Sequence, residues 1–239
     1  MNLSNDLIIS YKKVGCKTWE NNDFLYSNLK SSINIFEKKE LDNLIAIPKK
    51  MDVIGVLSGL PFSVTTQSQI VSIQNKIKLI LANTLAYYVE KNNLGIEYFV
   101  FKWPKDNPLE KIQIDLCCKI FEKIVKNYSS YQILISGIQI NPDGCILAKG
   151  FPLDNNFHSI RELIEKNYPY KSSRLQSEWM HIPLGRILSP VGIDKFRQLK
   201  ALVKSLEDFK FKITIDSIHL IHEHQWYMCE REYINSSKL

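Results

Sequence analysis

Two spacings of apolar residues alternate along the chain, one near two residues and one near three to four. Asp52 to Leu57 is a short apolar run closed by Gly59 and Pro61, and it reads as a buried strand. Ile70, Ile73, Ile77, Ile80 and Tyr88 then recur at helical spacing, with Leu81 and Leu85 beside them. That pattern predicts an amphipathic helix over roughly 66–92, stopped by Asn92, Asn93 and Gly95. Ile96 to Trp103 is rich in aromatic and β-branched residues and predicts a strand. Asn107-Pro108 offers a helix start, with Asn as cap and Pro in the first turn. Leu109, Ile112, Leu116, Ile120 and Ile124 mark the face that follows.

Tyr131 to Ile140 and Cys145 to Phe151 read as a hairpin around Asn141-Pro142-Asp143-Gly144, where Pro is pre-set for the turn and Gly is free to take positive φ. A short helix is predicted over 158–167 and a strand over Glu178 to Leu188, broken by Pro190. Val191, Phe196, Leu199, Leu202 and Leu206 predict a further helix, and Phe211, Ile213 and Ile215 a strand. Trp226 to Tyr233 reads as the last strand, returning after a turn near Glu223. Residues 1–45 carry no clean period. Leu7-Ile8-Ile9 reads as a short strand and Phe24 to Phe36 as a weak helix. This segment is taken as an extension packed on a main domain of residues 46–239. Strands and helices mix too evenly for a bundle or a sandwich, so the fold class is α/β (α+β). Without a G-x-G-x-x-G after a strand, a dinucleotide fold has no support.

Composition narrows the function classes. No apolar run approaches a membrane span, and Met1 to Lys13 lacks the basic start and apolar stretch of a signal peptide. None of the cysteines forms a C-x-x-C pair, so a reduced, cytoplasmic protein is expected. Cys117 and Cys118 read as core packing. The net charge of +6 admits an anionic partner such as RNA, yet the lysines are scattered and form no basic cluster. His222 and His224 would share a strand face, a spacing found in metal sites, with His219 nearby. Glu223 points the other way and further ligands are lacking. The segment therefore reads as a strand end and turn, and no metal or cofactor is expected. Trp103, Trp179 and Trp226 could stack on bases, but aromatics beside strands are more often core.

One stretch carries more specific information. Met180-His181-Ile182-Pro183-Leu184-Gly185-Arg186-Ile187 is similar to the strand H-x-[TS]-L-x-R-[IVL], with Pro183 at the hydroxyl position. Together with the element order, the hairpin bearing Gly137 and Gly144, and the closing stretch Ile215 to Tyr227, it makes residues 50–233 resemble the two-histidine (2H) phosphoesterases. That family includes 2′-5′ RNA ligase-like proteins and cyclic phosphodiesterases. The resemblance implies a two-lobed fold, with two small antiparallel sheets facing a central groove and helices outside. It also implies one H-x-T strand per lobe. The first-lobe strand here is Ile96 to Lys102 and holds no histidine. Glu97 or Tyr98 takes the histidine place, according to register.

The family's reaction, as the resemblance implies, opens a cyclic phosphate or a 2′,5′ linkage with two imidazoles. One takes a proton and the other gives one, which suits groups titrating near neutrality. Only His181 remains as a catalytic candidate. Arg186, Glu97, Tyr98 and Lys102 are the candidate substrate contacts, for a nucleotide or RNA end. Arg186 reads equally as a solvated strand-end residue, and His181 as a hydrogen-bonded core histidine. Losing one proton-transfer group costs about 10² to 10⁴ in rate. Losing a phosphate-orienting donor costs about 10² to 10³ more. The expected function is a 2H phosphoesterase-like protein with degenerate catalysis that binds a nucleotide or RNA phosphate in the groove. An active phosphodiesterase using His181 and a non-catalytic scaffold are the alternatives.

Overall fold

The structure, a computed structural model, describes residues 3–43, 45–170 and 173–239. Three helices come first: α1 (Leu3–Thr18), α2 (Tyr26–Ile33) and α3 (Lys38–Asp42). Then follow β1 (Lys50–Gly59), α4 (Val64–Ile80), β2 (Ala86–Tyr88), β3 (Gly95–Lys102) and α5 (Lys111–Val125). The chain continues through β4 (Tyr131–Ile140), β5 (Cys145–Pro152), α6 (Asn156–Asn167), β6 (His181–Ile187) and α7 (Ile193–Ser205). It closes with β7 (Lys210–Ile215), β8 (Ser217–Gln225) and β9 (Glu230–Lys238). Two antiparallel sheets result, in the orders β3-β1-β8-β9 and β2-β6-β5-β4-β7. This is the expected α+β, two-lobed arrangement.

Helices cover one face of each sheet. α5 and α6 pack on the four-stranded sheet, and α4 and α7 on the five-stranded one. Ile54, Val56, Ile133, Ile146, Ile182 and Leu184 join the helices' apolar stripes in one core cluster that spans both lobes. The hairpin turn depends on Gly144, whose φ of +83° suits glycine. A Cβ there would sit 2.3 Å from the Ile187 carbonyl oxygen, so the turn tucks against β6 only because none is present.

The other face of the five-stranded sheet carries the cross-strand pairs Leu147↔Pro183 and Lys149↔His181. α1 lies over it. Leu7 and Tyr11 pack against Cys145 and Leu147, and Trp179 flanks them. The Tyr11 hydroxyl donates to the Met180 carbonyl at 2.5 Å, and Thr18 Oγ1 donates to the Ile140 carbonyl at 2.6 Å. Asp23, in the loop after α1, accepts from the backbone N–H groups of Val191 and Gly192 at 2.7 and 2.8 Å, placing a carboxylate before the N-terminus of α7.

Several boundaries differ from the sequence expectation. Leu7-Ile8-Ile9 is helical, because Leu7, Tyr11 and Thr18 form a buried helical stripe while Ile8 and Ile9 are exposed. The helix expected over 66–92 ends at Ile80. Asn83 takes a φ of 61°, which breaks the helix, and Ala86–Tyr88 pairs with β6 instead. α5 starts at Lys111 rather than at Asn107-Pro108, where the Gln113 side chain accepts from the Glu110 N–H at 2.9 Å. The strand expected from Glu178 begins its ladder at His181. Near the C-terminus the turn is at 226–229, not Glu223, so the three histidines lie inside β8 rather than at a strand end. Among the described residues, no helix is long and apolar enough to cross a membrane.

If α1 is an integral layer, Tyr11→Phe should cost about 1 kcal/mol by leaving the Met180 carbonyl short of a donor. Tyr11→Ala should cost about 3–5 kcal/mol. Urea unfolding followed by circular dichroism measures both, and a neutral Tyr11→Ala would mean that α1 is not part of the cooperative unit.

Candidate functional site

Arg186 sits in β6, where the edge strand β2 crosses its end. Its Nε donates to the Tyr227 hydroxyl at 2.7 Å, and one terminal nitrogen donates to Ser32 Oγ at 2.6 Å and Asp143 Oδ2 at 2.8 Å. Ser32 in turn donates to the Asp143 carbonyl. The guanidinium is therefore committed to α2, the hairpin turn and the end of β8. Tyr227 stacks on Tyr87, with ring centroids 4.7 Å apart, and Phe36 flanks both.

β3 separates the other sequence-selected residues by face. Tyr98 is an extra residue in the β1 pairing, between Leu57↔Glu97 and Val56↔Phe99. It turns into the core, its hydroxyl bonded to the Tyr131 hydroxyl and to Ser58 Oγ. Lys102 is only 2% exposed, and its ammonium is held by Asp52 Oδ2 at 3.0 Å and the Asp52 carbonyl at 2.8 Å. Glu97 keeps partial solvent contact. Burial holds its carboxyl above the usual range, against the pull of Arg161 and Arg174.

His181 opens β6 on the face that α1 covers. Its Nδ1 is buried without a hydrogen-bond partner, as are Nε2 of His158 and Nε1 of Trp103 among the described residues. Burial pushes its pKa down to about 4, and the charges of Arg186 and Arg161 add to the shift. At neutral pH the imidazole is neutral and can accept a proton but not give one. Glu223, on β8, shifts the opposite way. Burial raises its pKa to about 8 and the charge of Glu97 contributes, although Glu223 accepts from the Met228 N–H at 2.8 Å.

Two cavities flank α1. One, of about 640 Å³, is lined by Phe99, His158, Arg161 and Gln176 together with Asp6, Glu162, Glu165 and Glu178. Four carboxylates against one guanidinium make it hostile to a phosphate. Gln176 also pairs with the edge strand β3, bonding both the N–H and the carbonyl of Val100, each at 2.9 Å. The second cavity, about 670 Å³, lies between α1, β4 and β5 and the end of α7. Lys12, Lys149 and Lys210 line it against a single Glu207, over an apolar floor that includes Tyr11, Leu134 and Phe151. Lys149 is half-buried and makes no ion pair or hydrogen bond among the described residues; burial lowers its pKa, and Glu207 opposes the shift. Sequence reasoning missed it, although a lysine between Leu147 and Phe151 in the same alternating row was a visible signal. It also missed Arg161, which beside Glu162 and Glu165 reads as part of a solvated helix face.

No protein-family model matches the sequence, and no curated protein matches it. Its likeness is to solved structures. The protein TT0787 of Thermus thermophilus superposes with a TM-score of 0.55 at 11% identity, over 78% of this chain and 97% of that one. E. coli LigT in its apo form superposes with a TM-score of 0.52 at 9% identity, over 80% of this chain and 99% of that one. Both share the 2H phosphoesterase fold, and at these identities the likeness shows the fold of this chain to be the same.

The opposite shifts of His181 and Glu223 give opposite pH signatures. The folded chain keeps the Glu223 proton between pH 4.5 and about 8, where the unfolded chain has lost it, so this group's contribution to stability falls as pH rises through that window. Glu223→Gln should therefore gain on the wild type between pH 5 and 9, by on the order of a few kcal/mol. His181 has the reverse sign, its contribution being lost as pH falls from 6.5 to about 4. Melting curves at a series of pH values test both, and a Glu223→Gln difference that is flat with pH would refute the shift. Arg186→Lys should cost about 3 kcal/mol in the same assay, because an ammonium cannot reproduce the planar fork.

Proposed function

We propose that this chain is a 2H phosphoesterase-like protein with degenerate catalysis, which binds a nucleotide or RNA phosphate on the groove face of the five-stranded sheet. The observation that carries the reading is Lys149. It is the cross-strand neighbour of His181, is half-buried, and lines a cavity without an ionic partner among the described residues. Burying an unpaired ammonium is costly, and an anion beside it offsets that cost. The apolar floor suits a nucleoside body and the lysines suit its phosphate.

The argument for degenerate catalysis is chemical. With Tyr98 turned into the core, the resemblance implies Glu97 and Phe99 for the first-lobe places of imidazole and hydroxyl, and Pro183 offers neither hydroxyl nor N–H. His181 is neutral at pH 7, and neither β3 nor β6 brings it a second imidazole. The committed partners of Arg186, Lys102 and Tyr98 leave those groups less able to hold a substrate. A second reading, retained hydrolysis, rests on one observation: the Glu97 carboxyl is pushed up while the His181 imidazole is pushed down. A protonated Glu97 could give a proton and a neutral His181 could take one, a division of labour of the usual acid–base kind.

Thermal-shift titration with 2′,3′-cyclic AMP, with product analysis of the same samples, separates the readings. Ligand at about 100 times its dissociation constant adds roughly 2.7 kcal/mol of stability. The expected result is a shift in the wild type and in His181→Ala, at least tenfold weaker binding in Lys149→Met, and no product. Product formation abolished by His181→Ala and by Glu97→Gln would establish the second reading instead. No shift in any variant would leave the scaffold role.

A further inference from the structure

β8 places His222 and His224 two residues apart on one face of the four-stranded sheet. The register of β9 sets Glu232 directly opposite His222. One ligand atom from each of the three lies within 4.8 Å of the others. The imidazoles lie side by side, with centroids 4.1 Å apart, and His224 Nε2 is 4.0 Å from Glu232 Oε2. β1 adds Asp52, whose Oδ1 is 2.7 Å from His222 Nε2. The other Asp52 oxygen is held by the buried Lys102 ammonium at 3.0 Å, which fixes the carboxylate plane.

We infer that His222, His224 and Glu232 form a binding site for a first-row divalent cation of the zinc type, with Asp52 as the positioning carboxylate behind His222. Two imidazoles and one carboxylate are a donor set for zinc, leaving a fourth position to water. Zinc at about 2.1 Å from each ligand sets the ligand atoms roughly 3.4 Å apart, so rotamer adjustments of these side chains close the gap. The His222–Asp52 bond is the orienting contact that metal-binding imidazoles use, since it fixes which ring nitrogen faces the ion. Two carboxylates against the one ammonium of Lys102 leave the cluster a net negative charge. Side-chain exposures of 25% for His222, 41% for His224 and 70% for Glu232 leave an entry path from solvent. None of these residues lines the Lys149 cavity, which lies on the other sheet, and the site does not depend on the function proposed above.

His219 supplies an internal control. It lies on the same strand but projects from the opposite face, where Nδ1 bonds Ser236 Oγ at 2.9 Å. The test is Co²⁺ titration of the untagged chain, read by visible ligand-field absorption, followed by displacement with Zn²⁺. One equivalent per chain is expected in the wild type and in His219→Ala. His224→Ala and Glu232→Gln should weaken binding by at least tenfold, and Asp52→Asn by about 10- to 100-fold. Circular dichroism of the metal-free variants checks their fold; His224 and Glu232 are exposed enough to be replaced without loss of core. Absence of a cobalt spectrum, or binding equally weakened by His219→Ala, or binding unchanged by Glu232→Gln, would overturn the assignment.

Discussion

A guanidinium cannot shed its charge, so burying Arg186 obliges the fold to bring acceptors to it. Tyr227, Ser32 and Asp143 do so from three separated stretches of chain. This single node ties the five-stranded sheet to the end of β8 in the other sheet, and ties both to α2. The turn that offers Asp143 must lie tight against β6, which only glycine at position 144 allows. The residue that the family resemblance marks for phosphate is thus the one on which the relative placement of the lobes and the N-terminal segment rests. That cation is already satisfied by groups of the protein itself.

The middle of the chain was legible because local and tertiary preferences agree there. β4 and β5 are rich in apolar and β-branched residues and flank a turn of strong local signals, and the stretch Ile96 to Trp103 is largely apolar because α6 packs on β3 while Val100 and Trp103 cluster with Val53 and Met51. The failures share a cause. Leu7-Ile8-Ile9 looks like a strand until Tyr11 and Thr18 are known to be inward. The helix ending at Ile80 is cut by one backbone angle at Asn83, within a run that stays periodic in sequence. β8 hides because its buried positions include Glu223 and its half-buried positions include His222, so its alternation reads as polar.

The site was legible in part for a related reason. The strand from Met180 to Ile187 could be recognised from its own letters. What each side chain does could not, because the partners lie far along the chain: Asp52 for Lys102, Tyr131 for Tyr98, Ser32 for Arg186. The spacing of His222 and His224 was visible too. Glu232 joins them only through a ladder with two register shifts, which no count of residues anticipates.

α1 also bears on how the molecule is made. The hydroxyl of Tyr11 closes on the carbonyl of Met180, 169 residues further on. At about 5–20 residues per second, a ribosome takes on the order of 10–30 s to deliver that carbonyl. Throughout that interval the helix, with Leu7 and Tyr11 uncovered, has no seat. The layer that finishes the sheet is synthesised long before the strand it docks on, which makes the nascent chain, rather than the finished protein, the form most exposed to chaperones and to wrong partners.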